Sequence, residues 1–195
     1  MYKRLSVAAA FSFASAAPAF AHLDPAAHGS FMAGLSHPLF GLDHILAMVA
    51  VGLWAGQISG TAGNKAAALV VPAAFIGAMA LGFAAAVSGF GLPFVEPAIL
   101  ASVVALGLVI AVAAKVPVAA SAAVVASFAI FHGHAHGGEL GAAGAWRFCL
   151  GFVVATGLLH AAGIVIGLGV GRLTPWAARI AGGFTALAGL SLAFG

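Results

Sequence analysis

The sequence predicts an all-α, polytopic membrane protein with six spanning helices behind an N-terminal signal peptide, and three observations lead there. Hydrophobic residues make up 64% of the 195 and charged residues only 6%, with a mean hydropathy of +1.18. A water-soluble domain of that composition would expose more apolar surface than water tolerates. The apolar stretches recur at about the 20 residues that a helix needs to cross a bilayer. The N-terminus has the three-part order of a secretory leader.

That leader opens with Lys3 and Arg4, runs through an apolar core from Leu5 to Phe13, and closes on Ala19-Phe20-Ala21, a small-x-small cleavage pattern. Residues 1–21 are therefore expected to be removed, leaving 22–195 as a single six-helix transmembrane domain. Cleavage after Ala21 would put His22 at a new N-terminus outside the cytoplasmic membrane. Its free amine and imidazole would then be adjacent metal donors, with Asp24 and His28 nearby.

The six spans divide at glycine, proline and charge punctuation. They are Leu39 to Ser59, Ala66 to Val87, Pro97 to Ala114, Val118 to His136, Trp146 to Val170 and Trp176 to Phe194. With the mature N-terminus outside, the loops after the first, third and fifth spans are cytoplasmic. Those loops hold Lys65, Lys115 and Arg172, with Arg179 close by, against Arg147 alone on the outer side. The basic-residue bias thus agrees with the orientation the leader implies. The expected location is a bacterial inner membrane, with the mature N-terminus and the C-terminus both periplasmic.

Gly52, Gly56 and Gly60 in the first span, and Gly163, Gly167 and Gly171 in the fifth, repeat at i+4 and read as packing seams. The spacing leaves open whether they join helices of one chain or of an oligomer. Seven Lys/Arg scattered singly form no patch to neutralise phosphates, so nucleic acid is not an expected partner. The single cysteine, Cys149, rules out an intramolecular disulfide and a cysteine-rich zinc site. No G-x-x-x-x-G-K-[ST] loop occurs, so the chain itself is not expected to hydrolyse ATP.

Eight histidines and four acidic residues are the costly groups in so apolar a chain, because an ionisable side chain in a span must face a cavity or a partner. In His37-Pro38-Leu39-Phe40-Gly41-Leu42-Asp43-His44-Ile45-Leu46-Ala47-Met48, a helical period starting at Pro38 places His37, His44 and Met48 near one face, with Asp43 adjoining. In Phe131-His132-Gly133-His134-Ala135-His136-Gly137-Gly138-Glu139, His132, His136 and Glu139 form one stripe if the helix persists. His134 points elsewhere unless the glycines break it. Both groups fall near the outer ends of antiparallel spans, so they are able to meet. Imidazole nitrogen and carboxylate oxygen suit nickel, cobalt or zinc, and a thioether adds soft character. Neutral imidazoles must release protons to bind a metal, so its capture should depend on pH.

His160 sits about 21 Å into the fifth span, beyond the midplane. It reads either as a deeper relay or as a histidine bonded to a neighbouring helix, the second being slightly favoured. Glu96, beside Pro97, reads as an interfacial helix-start charge. Paired histidines also admit a membrane haem or electron-transfer protein, although that reading leaves Asp43 and Glu139 unexplained. No H-E-x-x-H of a metalloprotease is present.

These residues resemble the hydrogenase- and urease-associated nickel permeases of the HupE/UreJ family. The matching patterns are His37-Pro38-x-x-Gly41-x-Asp43-His44-x-x-Ala47-Met48, then Val51-Gly52-Leu53-Trp54-Ala55, and Phe131-His132-Gly133-x-Ala135-His136-Gly137-x-Glu139. The likeness runs over the whole chain. It implies a secondary permease, not an enzyme, for Ni²⁺ and also Co²⁺, with the ion as cargo and no resident cofactor. It also implies a metal path through His37, Asp43, His44, Met48, His132, His136 and Glu139, while His134 falls at a position that looks variable. His22 and His160 are added to that path from the residues alone.

Overall fold

A computed structural model describes residues 30–61, 63–140 and 144–195. The leader, the cleavage site, His22 and His28 lie outside the described residues. Seven α-helices occupy the described chain: α1 (Phe31–Ser36), α2 (Leu42–Thr61), α3 (Ala67–Val87), α4 (Val95–Ala111), α5 (Val118–Leu140), α6 (Ala145–Leu173) and α7 (Pro175–Phe194). A single 3-10 turn, His37–Leu39, joins α1 to α2. With no water in a bilayer core to satisfy backbone polar groups, helices that bond internally are the form such a chain must take.

Among the described residues, five helical stretches are long and apolar enough to cross a membrane: Leu42–Gly60, Ala67–Val87, Val118–Gly138, Ala145–Gly169 and Trp176–Phe194. The helix over Val95–Ala111 is apolar but shorter. Its 17 residues extend about 25 Å, under the roughly 30 Å of hydrocarbon. Leu69, Leu81, Leu158, Val165 and Phe184 are all exposed, as lipid-facing side chains should be.

The packing is set by where glycine removes the side chain. A Cβ on Gly52 would strike the carbonyl oxygen of His160, and one on Gly163 would strike that of Val49. The two glycine seams thus face each other within one chain and let α2 lie backbone-to-backbone on α6. Gly82 and Gly133 do the same for α3 and α5, meeting Ile130 and Met79, while Gly107 and Gly182 join α4 to α7. The most enclosed helix is α2, two-thirds buried against one-third or less for the other four long spans. Whatever α2 carries is therefore held inside the bundle.

Two boundaries differ from the sequence expectation in ways that matter. The first span does not begin at Leu39, because His37–Leu39 closes as a separate turn with Phe40 N–H donating to His37 C=O. His37 is consequently not in helical phase with His44, and reaches the others by another route. The helix expected to end at His136 runs on to Leu140, its apolar stretch reaching Gly138. Gly133 and Gly137 do not interrupt it, because both are pressed on the backbone of α3, and packing outweighs their weak helix propensity.

Candidate metal site

The N-terminal end of α2 meets the last turns of α5, and four polar side chains line up there. His44 Nδ1 lies 2.9 Å from Asp43 Oδ1. His44 Nε2 lies 2.6 Å from His136 Nε2, and His136 Nδ1 lies 2.9 Å from His37 Nε2. Proton placement follows from chemistry: an ionised carboxylate only accepts, so His44 donates through Nδ1 and accepts at Nε2. His136 Nε2–H then donates to His44, and His37 Nε2–H donates to His136. Three neutral imidazoles in one direction satisfy every bond of this chain.

Local sequence makes the arrangement possible. At Gly41 a Cβ would come within 2.8 Å of both Asp43 Oδ1 and His44 Nδ1, so the glycine clears the space in which the carboxylate and imidazole pair. Phe148 and Phe152 of α6 wall the other side. His136 stands edge-on to Phe152 at 4.8 Å between centroids, and His37 edge-on to Phe148 at 5.3 Å. Low-polarity walls strengthen each polar contact they enclose.

His132 lies one turn below His136 on α5, fully buried, with its ring 5.1 Å from that of His44. Its Nε2 is 3.0 Å from Ser102 Oγ, and the Ser102 hydroxyl donates to Ile99 C=O at 2.6 Å. A serine has a single proton, so Ser102 must accept from His132 Nε2–H. That leaves Nδ1 of His132 as a bare lone pair, buried and without a hydrogen-bond partner among the described residues. An unpaired buried acceptor costs about 1–3 kcal/mol, while an imidazole with one nitrogen fixed by a neighbour and the other open has the form of a metal ligand. The Ser102 contact was not anticipated. The only signal for it was a lone hydroxyl in an apolar span, where such groups often bond across helices.

His134 points away, as the continuous helix requires, with Nε2 2.7 Å from Phe90 C=O. Glu139 lies in the final turn of α5, and its side chain is outside what the structure describes. Met48 is fully buried one turn below His44. His160 is 1% exposed, and neither of its ring nitrogens has a hydrogen-bond partner among the described residues. The favoured expectation of a bond to a neighbouring helix is therefore corrected, since the facing surface is the ring of Phe75 at 5.1 Å. Glu96 is exposed in the first turn of α4, as expected of a helix-start charge.

Among the described residues no three His, Cys, Asp or Glu side chains converge as a ready-made cage for an ion. The reason is visible in the bonding: the donor atoms of His37, His44 and His136 are turned on one another. The arrangement is a chain of hydrogen-bonded donor groups, which a cation could engage only by exchanging hydrogen bonds for coordination and releasing protons.

The sequence matches the family described as "HupE / UreJ protein" over residues 9–192. It is 43% identical over 185 residues to "Protein HupE" of Rhizobium leguminosarum bv. viciae, which covers 93% of this chain and 94% of that protein. No solved structure matches it.

Proposed function

This chain belongs to the HupE/UreJ family, and from that premise we propose that it is a secondary permease carrying Ni²⁺, and also Co²⁺, inward across the bacterial inner membrane to supply metalloenzyme maturation. The observation that carries the reading is the buried lone pair on His132 Nδ1 beside the Asp43–His44–His136–His37 chain. Nitrogen and carboxylate donors gathered out of water at the meeting of two antiparallel helices can replace the hydration shell of a borderline d-block cation.

On this reading residues 1–21 are removed as a signal peptide, six helices span the membrane, and both mature termini are periplasmic. The distribution of basic residues supports the orientation. The histidine chain sits at the start of α2 and the end of α5, whereas Lys65 and Lys115 are exposed at the opposite ends of the helices. The ion is captured outside, with His22 of the new N-terminus contributing. It sheds water against His37, His44, Asp43, His136 and Glu139, passes to His132, and moves inward past Met48 and His160. No covalent step is required, so the protein acts as a carrier and not as an enzyme. A haem role is less well supported, because Phe148 and Phe152 pack directly on the imidazoles where a macrocycle would need a slot.

Uptake of radioactive nickel and cobalt by cells expressing the protein, each competed by the other and by zinc, tests the proposal. Accumulation of nickel above that of cells lacking the protein is expected. Equal accumulation in both rejects it.

A further inference from the structure

Below the histidine chain lies a second group of ligand atoms contributed by three helices. Met48 of α2 and Met79 of α3 are both fully buried. Thr156 of α6 is also fully buried and stands between them, with Oγ1 3.4 Å from Met48 Sδ and 3.6 Å from Met79 Sδ. One hydroxyl proton serves only one thioether at a time, so sulfur lone pairs are left over in a dry interior.

His160 follows Thr156 by four residues and shares its face of α6. Side chains on a helix lean toward its N-terminus, which tilts the His160 ring back toward the threonine. Methionines filling a core need no explanation of their own. A 1%-exposed imidazole with both nitrogens unpartnered among the described residues does.

The two groups are contiguous. His44 faces His132 at 5.1 Å between ring centroids, His132 faces Phe75 at 5.6 Å, and Phe75 faces His160 at 5.1 Å. Phe75 itself lies one turn from Met79 on α3.

We propose that Met48, Met79, Thr156 and His160 form a second cation subsite, deeper than the imidazole chain, for a soft-to-borderline d-block ion such as Ni²⁺. The proposal rests on the transport reading of the outer histidines and adds a station to it. Thioether and imidazole donors disfavour Mg²⁺ and Ca²⁺, which require oxygen. None of the four side chains is a carboxylate, so the subsite holds the ion without a countercharge. Weak holding is what a transit site needs, since conduction requires an ion to leave as readily as it enters.

The test is nickel K-edge X-ray absorption on the full-length protein in lipid nanodiscs loaded with nickel chloride alone. A sulfur shell is expected beside the nitrogen and oxygen shell. The volume-conserving double substitution Met48→Leu, Met79→Leu should erase the sulfur shell, lose one bound ion per chain and keep the nitrogen shell. His160→Asn, which leaves both sulfurs in place, should also lose that ion. Nickel bound through nitrogen and oxygen only, or a sulfur shell surviving the double substitution, overturns the subsite and leaves the outer site standing. A wild-type protein that binds no nickel overturns the transport reading and the subsite together.

Discussion

His136 Nε2 stands 2.6 Å from His44 Nε2, although 92 positions separate them in the chain. Two neutral imidazoles so close share one proton, which makes one nitrogen a donor and the other an acceptor. The pair ties the first turns of α2 to the last turns of α5. It also means that a cation taking either nitrogen would have to break a hydrogen bond that joins the N-terminal end of α2 to the C-terminal end of α5.

His44→Ala removes the central member of the chain, leaving Asp43 and His136 each without this partner. Nickel accumulation in intact cells should be abolished while the amount of protein in the membrane is unchanged. Accumulation near the wild-type level, with insertion confirmed by immunoblot of membranes, would refute the assignment.

Ser102→Ala deletes the acceptor that fixes the His132 tautomer. The Nε2 proton then has no fixed partner and the Nδ1 lone pair is no longer held in place. Loss of such a supporting bond typically costs 10–100-fold in metal affinity, so the nickel concentration for half-maximal uptake should rise by about that factor. Unchanged concentration dependence would show that Ser102 does not orient the ring.

Gly133→Ala places a methyl against the backbone of Met79, where no side chain can yield. Overpacking of this kind costs about 1–3 kcal/mol. It should push α5 off α3, displacing His132 and His136 with it. Lower thermal stability in detergent and impaired uptake are expected together, whereas stability equal to wild type would mean that the two helices are less tightly apposed.

Topology is checked by single cysteines in a Cys149→Ser background. Both Lys65 and Gly91 are exposed, at opposite ends of α3. Lys65→Cys should react with a membrane-impermeant maleimide only after the cells are opened, and Gly91→Cys in intact cells. The reverse pattern would invert the chain and turn the histidine end toward the cytoplasm.

The composition and the 20-residue apolar rhythm determined the all-α membrane class, because backbone groups in lipid have no alternative to helices. The His37–Met48 and Phe131–Glu139 motifs likewise singled out polar side chains that are costly in such spans, and the structure brings His37, Asp43, His44, His132 and His136 of them together. The i+4 glycine repeats showed which faces pack, and the structure joins those of α2 and α6 within one chain. Other features were not legible. His37 left the helical phase of His44 because the turn before Gly41 closed separately, and only the approach of α5 brought it to His136. Ser102, Met79 and Thr156 carry no pattern of their own in sequence. A serine, a methionine and a threonine in apolar helices become informative only when packing decides whose lone pair or proton each one faces. Sequence periodicity places a residue on one side of its own helix; its partner is set by the rotation and depth of the neighbouring helices, which arise from the summed close packing of the whole bundle.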